Sequence, residues 1–419
     1  RHTRYIGDWS SDVCSSDLRG TDWTPEGLRS FVDKIAEHHD AGRLPFALHL
    51  AGGNEEQLID IFSNINEGDY VLSTHRNMYH ALLHGLPPEE VEDKILNGRS
   101  MFMFDRERNF YVSAIIGGPV AIAVGIAWAL KRKGSDQKVW CFLGDGTEDA
   151  GHFAEAVRYV DGFDLPCTFV IEDDSMAVEA PKERRWGTGK DLQWPSCVMR
   201  YHYTKSRPHI RTGNFADLKV MKETMKTDEE YFPLLPKREY PNSGRVPPVD
   251  MKFKDAVTQG MTELGEDGAI FIGYSLIPGD AMGTLKNVPD DQKIETPVAE
   301  NLMVGLAIGM SFEGFKPVVY FERHDFMLVA ADAIGNHIDK IERISHGEFK
   351  VPVILKTVVD DGGLFYSGPT HSQDFTKVFR ELVDFPVLDP QTPEEALDMY
   401  RYAKDSDGPV MIVEHKRFH

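Results

Sequence analysis

Residues 141–174 read CFLGDGTEDAGHFAEAVRYVDGFDLPCTFVIEDD. The run KVWCFLG (138–144) is continuously apolar and breaks at Gly-Asp-Gly; CTFVIE (167–172) is apolar and breaks at Glu-Asp-Asp. Between them Phe153, Ala156, Val157 and Val160 fall on one helical face. A strand without polar alternation is buried on both faces, as in a parallel sheet covered by helices. Ligands of open α/β sheets bind beyond the carboxyl ends of the strands. Asp145 and Asp174 stand at two such ends, so neighbouring strands would bring the two carboxylates together. Gly-Asp-Gly alone is a common turn. Two acidic strand ends with a helix between them point instead to a hard oxygen site, suited to Mg²⁺ and phosphate. Gly144 and Gly146 would let the backbone turn tightly and approach that phosphate. The helix that follows would offer it free N–H groups.

The same alternation extends outward. Thr24 and Pro25 read as N-cap and first residue of a helix that stops at AGR. PVAIAVGIAWALKRKG (119–134) reads as a buried helix closed by Gly134. Residues 215–250 are charged and then proline-rich, which marks a linker. From Met251 helix and strand alternate again. MKFKDAVTQGMTELG, PVAENLMVGLAIGMSFEG, DFMLVAADAIGNHIDKIERIS and TPEEALDMYRYAKD read as helices, and AIFIGYSL, PVVYFE, VPVILKTV and PVMIVE as strands. The expectation is an α/β protein with two doubly wound, mostly parallel-sheet domains, 21–214 and 251–419. Segment 1–20 has no apolar core, and its DVCSSDL resembles a translated sequencing-adapter remnant, so it reads as non-native.

Composition narrows the partners. The 419 residues carry a net charge of −21, which repels nucleic acid and anionic membranes. No apolar run approaches the about 20 residues of a membrane span. Cys14, Cys141, Cys167 and Cys197 fit neither a zinc pattern nor a disulfide framework, so a reducing, cytoplasmic compartment is expected.

GDG, an EA pair, LP, a strand and an acidic pair together resemble the signature of thiamine diphosphate enzymes. The chain is most similar to the first component of 2-oxo acid dehydrogenase complexes, with α and β subunits fused; transketolase shares the layout. The resemblance runs from about residue 40 through a diphosphate domain and then a pyrimidine domain. It implies thiamine diphosphate and Mg²⁺ as cofactors. Asp145, Asp174 and the carbonyl of Met176 would be the metal ligands, although the family usually has Asn at position 174. STHRNMYHALLHG keeps Arg76 for the diphosphate, while His75 and Met78 replace the family's Tyr and His. Ala114 and Ile116 in SAIIGG fall where the family's backbone meets the cofactor. His49 matches an active-site histidine, and Phe102 stands where histidine is frequent.

In the second half, a carboxylic acid in a poorly solvated pocket must protonate the aminopyrimidine ring. ETPVAENLMVGLAIG resembles the family's activating segment, which assigns that acid to Glu300. On spacing alone a glutamate in a first helical turn equally complements the helix dipole. By resemblance Phe326 stacks on the pyrimidine and His371, in SGPTHSQDF, faces substrate. His202, in MRYHYTKSRPH, is a further candidate.

The resemblance implies decarboxylation of a small 2-oxo acid, acyl transfer to a lipoyl-bearing acyltransferase, and a homodimer whose sites pair the two domain types. A transketolase-like transfer between sugar phosphates is the second reading, with Arg323, Lys356 and Lys377 as the available cations. A non-catalytic paralogue is the third, motivated by Asp174, Met78 and Phe102. The family's C-terminal domain is absent after PVMIVEHKRFH; a cut gene, a separate chain that supplies it, or a form that works without it are the alternatives.

Overall fold

A computed structural model of the chain describes residues 22–44, 46, 48–210, 226–241, 248–278, 280–362 and 368–419. Segment 1–20, read as non-native, lies outside the described residues. The first domain holds β1 (Tyr70–Ser73), β2 (Phe110–Val112), β3 (Val139–Gly144), β4 (Cys167–Asp173) and, beyond a small hairpin of β5 (Met176–Ala177) and β6 (Ala180–Pro181), β7 (Val198–His202). The sheet order is β2-β1-β3-β4-β7, and every pairing is parallel. The second domain holds β8 (Ile270–Gly273), β9 (Lys293–Glu295), β10 (Pro317–Tyr320), β11 (Ile354–Val359), β12 (Val387–Leu388) and β13 (Val410–His415). Its order is β12-β13-β11-β10-β8-β9, again all parallel.

Alternation of side chains across each strand explains the apolar runs. Val71, Trp140, Phe142 and Val170 enter one core with the Pro25–Asp40 and Met78–Leu83 helices. Leu72, Cys141, Leu143, Phe169 and Ile171 enter another, which also receives Ile270, Ile272, Val319 and Leu355 from the second sheet. The two domains therefore share a central core. Phe271, Val318, Ile354 and Val410 face a third core, under the Phe253–Glu266 and Pro393–Asp405 helices.

Helices Gly118–Lys133 and Glu300–Phe312 cross in the middle of the shared core. Their contact is backbone on backbone. A Cβ on Gly125 would lie 2.1 Å from the carbonyl oxygen of Leu306, and one on Gly309 would lie 2.1 Å from that of Ile122.

One expectation is corrected. DFMLVAADAIGNHIDKIERIS is not one α-helix: it runs as a 3-10 segment (His324–Ala330), a π segment (Ala333–Ile338) and an α turn (Ile341–Ile344). The register shifts where His337 is buried against Ser113 Oγ, 3.2 Å away, so a tertiary contact overrides the 3.6-residue period. The described part of the segment read as a linker packs on the domains. Thr227 and Glu230 form a capping box, and Phe232 is buried with its ring 4.9 Å from that of Phe102.

At the end of β13, His415 Nδ1 is 2.6 Å from Asp361 and Nε2 is 3.1 Å from Asp389. Asp389 and Asp361 raise its pKa against the effect of burial; Arg417 shares Asp361, and Asp374 and His324 face the same group. A raised folded-state pKa gives stability that is complete below the unfolded value and is lost as pH rises through the folded one. His415→Gln should therefore cost about 1–3 kcal/mol at pH 6 and less at pH 8.5. Urea unfolding at the two pH values checks this; an equal loss at both would show that the charge is not involved.

Candidate active site

β3 and β4 are neighbours, with Gly144 opposite Glu172, so the two acidic strand ends do meet. Beyond them lies a cavity of about 240 Å³. Nine residues singled out from the sequence line it: His49, Arg76, Ala114, Ile116, Gly144, Asp145, Gly146, Asp174 and Met176. Strand alternation sorts the acids of 172–174. Glu172 and Asp174 turn to the cavity, whereas Asp173 is clamped by Lys182 at 2.7 Å and Arg200 at 2.5 Å. Glu172 accepts hydrogen bonds from Asn54 at 3.0 Å and Tyr201 at 2.5 Å, which leaves Asp174 as the second carboxylate with an oxygen lacking a hydrogen-bond partner, beside Asp145.

Asp145 Oδ2 pairs with Arg185 at 2.7 Å, while Oδ1 is buried without a hydrogen-bond partner. Burial, then Asp173 and Asp174, push its pKa up to about 7, against Arg185 and Lys182. Asp174 Oδ1 accepts from the backbone N–H of Met176 at 3.1 Å, across Ser175 at φ 60°. Its Oδ2 has the Lys205 ammonium at 3.1 Å, without hydrogen-bond geometry.

The glycines act differently from the sequence expectation. Neither Gly144 nor Gly146 has a positive φ, and Gly144 is ordinary extended backbone at φ −72°, ψ 158°. The need is room. A Cβ on Gly146 would lie 2.8 Å from Ala177 Cβ, and one on Gly144, a residue of the cavity lining, would meet no atom within 4 Å beyond its chain neighbours. The Gly151–Phe163 helix also does not start at the site, because a 3-10 turn (Asp145–Asp149) intervenes.

Arg76 Nη2 donates to His209 Nδ1 at 3.1 Å. His209 lines the cavity with His49 and His75, a residue the sequence reading passed over in favour of His202. His202 is exposed and bonds Asp191 at 2.9 Å, away from the cavity. Met78 is buried in the core and Phe102 packs on Phe232, so neither lines the cavity; Met101 does.

Glu300, Phe326 and His371 are not on this cavity. Glu300 is buried in the first turn of its helix, with the Tyr274 hydroxyl donating to Oε1 at 3.2 Å. Phe326 and His371 meet edge to face, ring centroids 5.5 Å apart. Within one chain the candidates thus divide into those on the cavity and a second group of three off it. Of the three cations weighed for a sugar phosphate, Lys356 is closed off: it is fully buried, 3.4 Å from Glu414 and over the Tyr320 ring. Arg323 Nε lies 3.5 Å from Asp360, and Lys377 is exposed.

The site fits a metal–diphosphate group. Asp145 Oδ1 is a buried acceptor without a partner, the donor set is hard oxygen, and the space beside Gly144 is unfilled by protein.

Two parallel-sheet domains around a shared core, with this cavity beyond the first sheet, define a transketolase-like fold. Over 95% of this chain and 78% of the other, it superposes on transketolase from Campylobacter jejuni with a TM-score of 0.65 at 14% identity. Residues 27–189 match the family described as Dehydrogenase E1 component, and residues 250–418 match Transketolase, pyrimidine binding domain. The β subunit of acetoin:2,6-dichlorophenolindophenol oxidoreductase from Cupriavidus necator is 30% identical over 183 residues, 41% of this chain and 54% of its own length. The pyruvate dehydrogenase E1 α subunit of Porphyra purpurea is 30% identical over 167 residues, 36% of this chain and 48% of its own. The chain spans about half the length of these curated relatives. It thus carries, on one polypeptide, a domain matching the dehydrogenase E1 component followed by a domain matching the transketolase pyrimidine-binding domain.

Proposed function

We propose that this protein decarboxylates a 2-oxo acid with thiamine diphosphate and Mg²⁺ and passes the acyl group to a lipoyl group on a partner acyltransferase. The observation that carries the reading is the convergence of Asp145, Asp174 and Arg76 on one cavity at the ends of β3, β4 and β1. Asp145, Asp174 and the Met176 carbonyl would hold the metal, Arg76 the diphosphate, and the backbone at Ala114 and Ile116 the rest of the cofactor. Bound thiamine diphosphate supplies the acidic thiazolium carbon and the electron sink. Glu300 would hold the proton next to the aminopyrimidine, Phe326 would stack on that ring, and His371 and His49 would move protons at the substrate.

Because Glu300, Phe326 and His371 stand apart from the cavity, a complete site takes them from a second copy. Ile116 and Val178 line the cavity and are exposed, as are Val298, Leu328 and Val329 beside the second group. A homodimer would cover both sets.

A 2-hydroxy ketone as substrate is the second reading, favoured by the acetoin oxidoreductase relatives. Calorimetry with thiamine diphosphate and Mg²⁺ should give saturable heat; none would sink both readings. With cofactor bound, reduction of 2,6-dichlorophenolindophenol by a panel of 2-oxo acids is expected to outrun that by acetoin, and ketose phosphates should give nothing.

A further inference from the structure

Three histidines on the cavity wall offer more than the proposed reaction uses. His49 precedes the Glu55–Phe62 helix, His75 follows β1, and His209 lies on the segment after β7. Ring centroids are 4.5 Å apart for His49–His75, 5.1 Å for His49–His209 and 5.8 Å for His75–His209. One nitrogen from each ring lies within 4.8 Å of the other two. His49 Nδ1 and His75 Nε2 are buried without a hydrogen-bond partner. An unpartnered buried nitrogen is costly, and two of them converging with a third imidazole on one cavity call for an electrophile. Burial first, and nearby cations after it, keep the rings neutral, the form that ligates metals.

We propose that His49, His75 and His209 form a binding site for a borderline divalent transition-metal ion of the Zn²⁺ type. It is distinct from the Asp145–Asp174 pair, whose hard oxygens select Mg²⁺, whereas imidazole selects zinc, cobalt and nickel. The rings need to close in: at Zn–N distances of about 2.0–2.1 Å, tetrahedral nitrogens stand about 3.4 Å apart. His209, half-buried, lies on a segment outside the sheet.

One group opposes the ion. Arg76 donates to His209 Nδ1, and a guanidinium keeps its proton, so that nitrogen is blocked while Arg76 sits on it. Metal binding therefore displaces Arg76 or uses the other nitrogen after the ring turns. Lys205, which also faces His209, adds repulsion. Among the described residues, the other group with metal-ligand spacing, Asp173, Asp191 and His202, is already occupied by Lys182 and Arg200.

The test is titration of the full chain, free of thiamine diphosphate, with Co²⁺, read by visible ligand-field absorption. One equivalent should give the intense bands of a four- or five-coordinate ion. His75→Gln and His209→Gln, measured separately, should each weaken binding by about tenfold or more, and Arg76→Met should strengthen it. The site does not rest on the proposed reaction, since no substrate enters the measurement. No absorption change with the parent chain overturns it. So does unchanged binding in both histidine variants, or loss in His202→Gln instead.

Discussion

Glu300→Gln should lower turnover by about 10²–10⁴-fold while cofactor affinity and fold stay close to those of the parent. The substitution removes one property, the acidic proton. Gln keeps the shape of Glu and keeps an oxygen to accept from the Tyr274 hydroxyl, now 3.2 Å from Glu300 Oε1. The pocket is already poor in water: Glu300 is 6% exposed, and burial followed by Glu300 itself raises the Tyr274 pKa. The competing role is structural. A glutamate in a first helical turn complements the dipole by about 0.3–1 kcal/mol. If that were all, Glu300→Gln would lower the melting temperature slightly and leave turnover intact. Steady-state kinetics beside thermal unfolding separates the two, and full activity would remove Glu300 from the reaction. Tyr274→Phe is the companion variant. It frees Glu300 Oε1 of its donor, so a loss in kcat with KM unchanged would mark Tyr274 as holding the carboxyl in orientation.

What could be read from the sequence depended on how local its cause was. The strands Val139–Gly144 and Cys167–Asp173 were legible because both faces are buried, which writes the burial into consecutive residues. β7, with the sequence VMRYH, was not: it is an edge strand with no buried residue, and its Arg200 and Tyr201 are polar for the sake of Asp173 and Glu172. Asp145 and Asp174 were legible because a parallel sheet places acidic strand ends side by side. His209 was not, because nothing local marks it. Its segment reaches the cavity through tertiary contacts, Ser206 N–H to the Gly52 carbonyl at 3.1 Å and Arg76 to His209. The residues from Asp325 to Ile344 carried a helical pattern that His337 broke by packing across the domain boundary. Charge was harder still. A sequence shows Asp at 174 where an amide is usual in the family; only the fold shows Lys205 brought against it.

Gly309→Ala and Gly144→Ala should fail in opposite ways. An added Cβ at Gly309 lies 2.1 Å from Ile122 O, 2.5 Å from Ile126 N and 2.8 Å from Gly125 C, all backbone atoms that no rotamer can move aside. Alanine gains about 1 kcal/mol of intrinsic helix preference over glycine. Separating two packed helices costs about 1–3 kcal/mol for each forced methylene, and more where backbone must shift. The clash wins, because this contact lies at the centre of the core shared by both sheets. A net loss of about 2 kcal/mol is expected, read as a lower urea midpoint with cofactor affinity falling only as the fold does. At Gly144 the balance reverses. Its backbone is already extended and no protein atom lies within 4 Å of the new methyl, so stability should be unchanged. The methyl instead occupies the space proposed for the metal and diphosphate, and calorimetry should find thiamine diphosphate binding weakened by about tenfold or more, at a cost of about 1.4 kcal/mol. Gly144→Ala that binds cofactor normally would place the diphosphate elsewhere in the cavity. Gly309→Ala that unfolds at the parent midpoint would mean that the two helices do not meet as closely as their glycines permit.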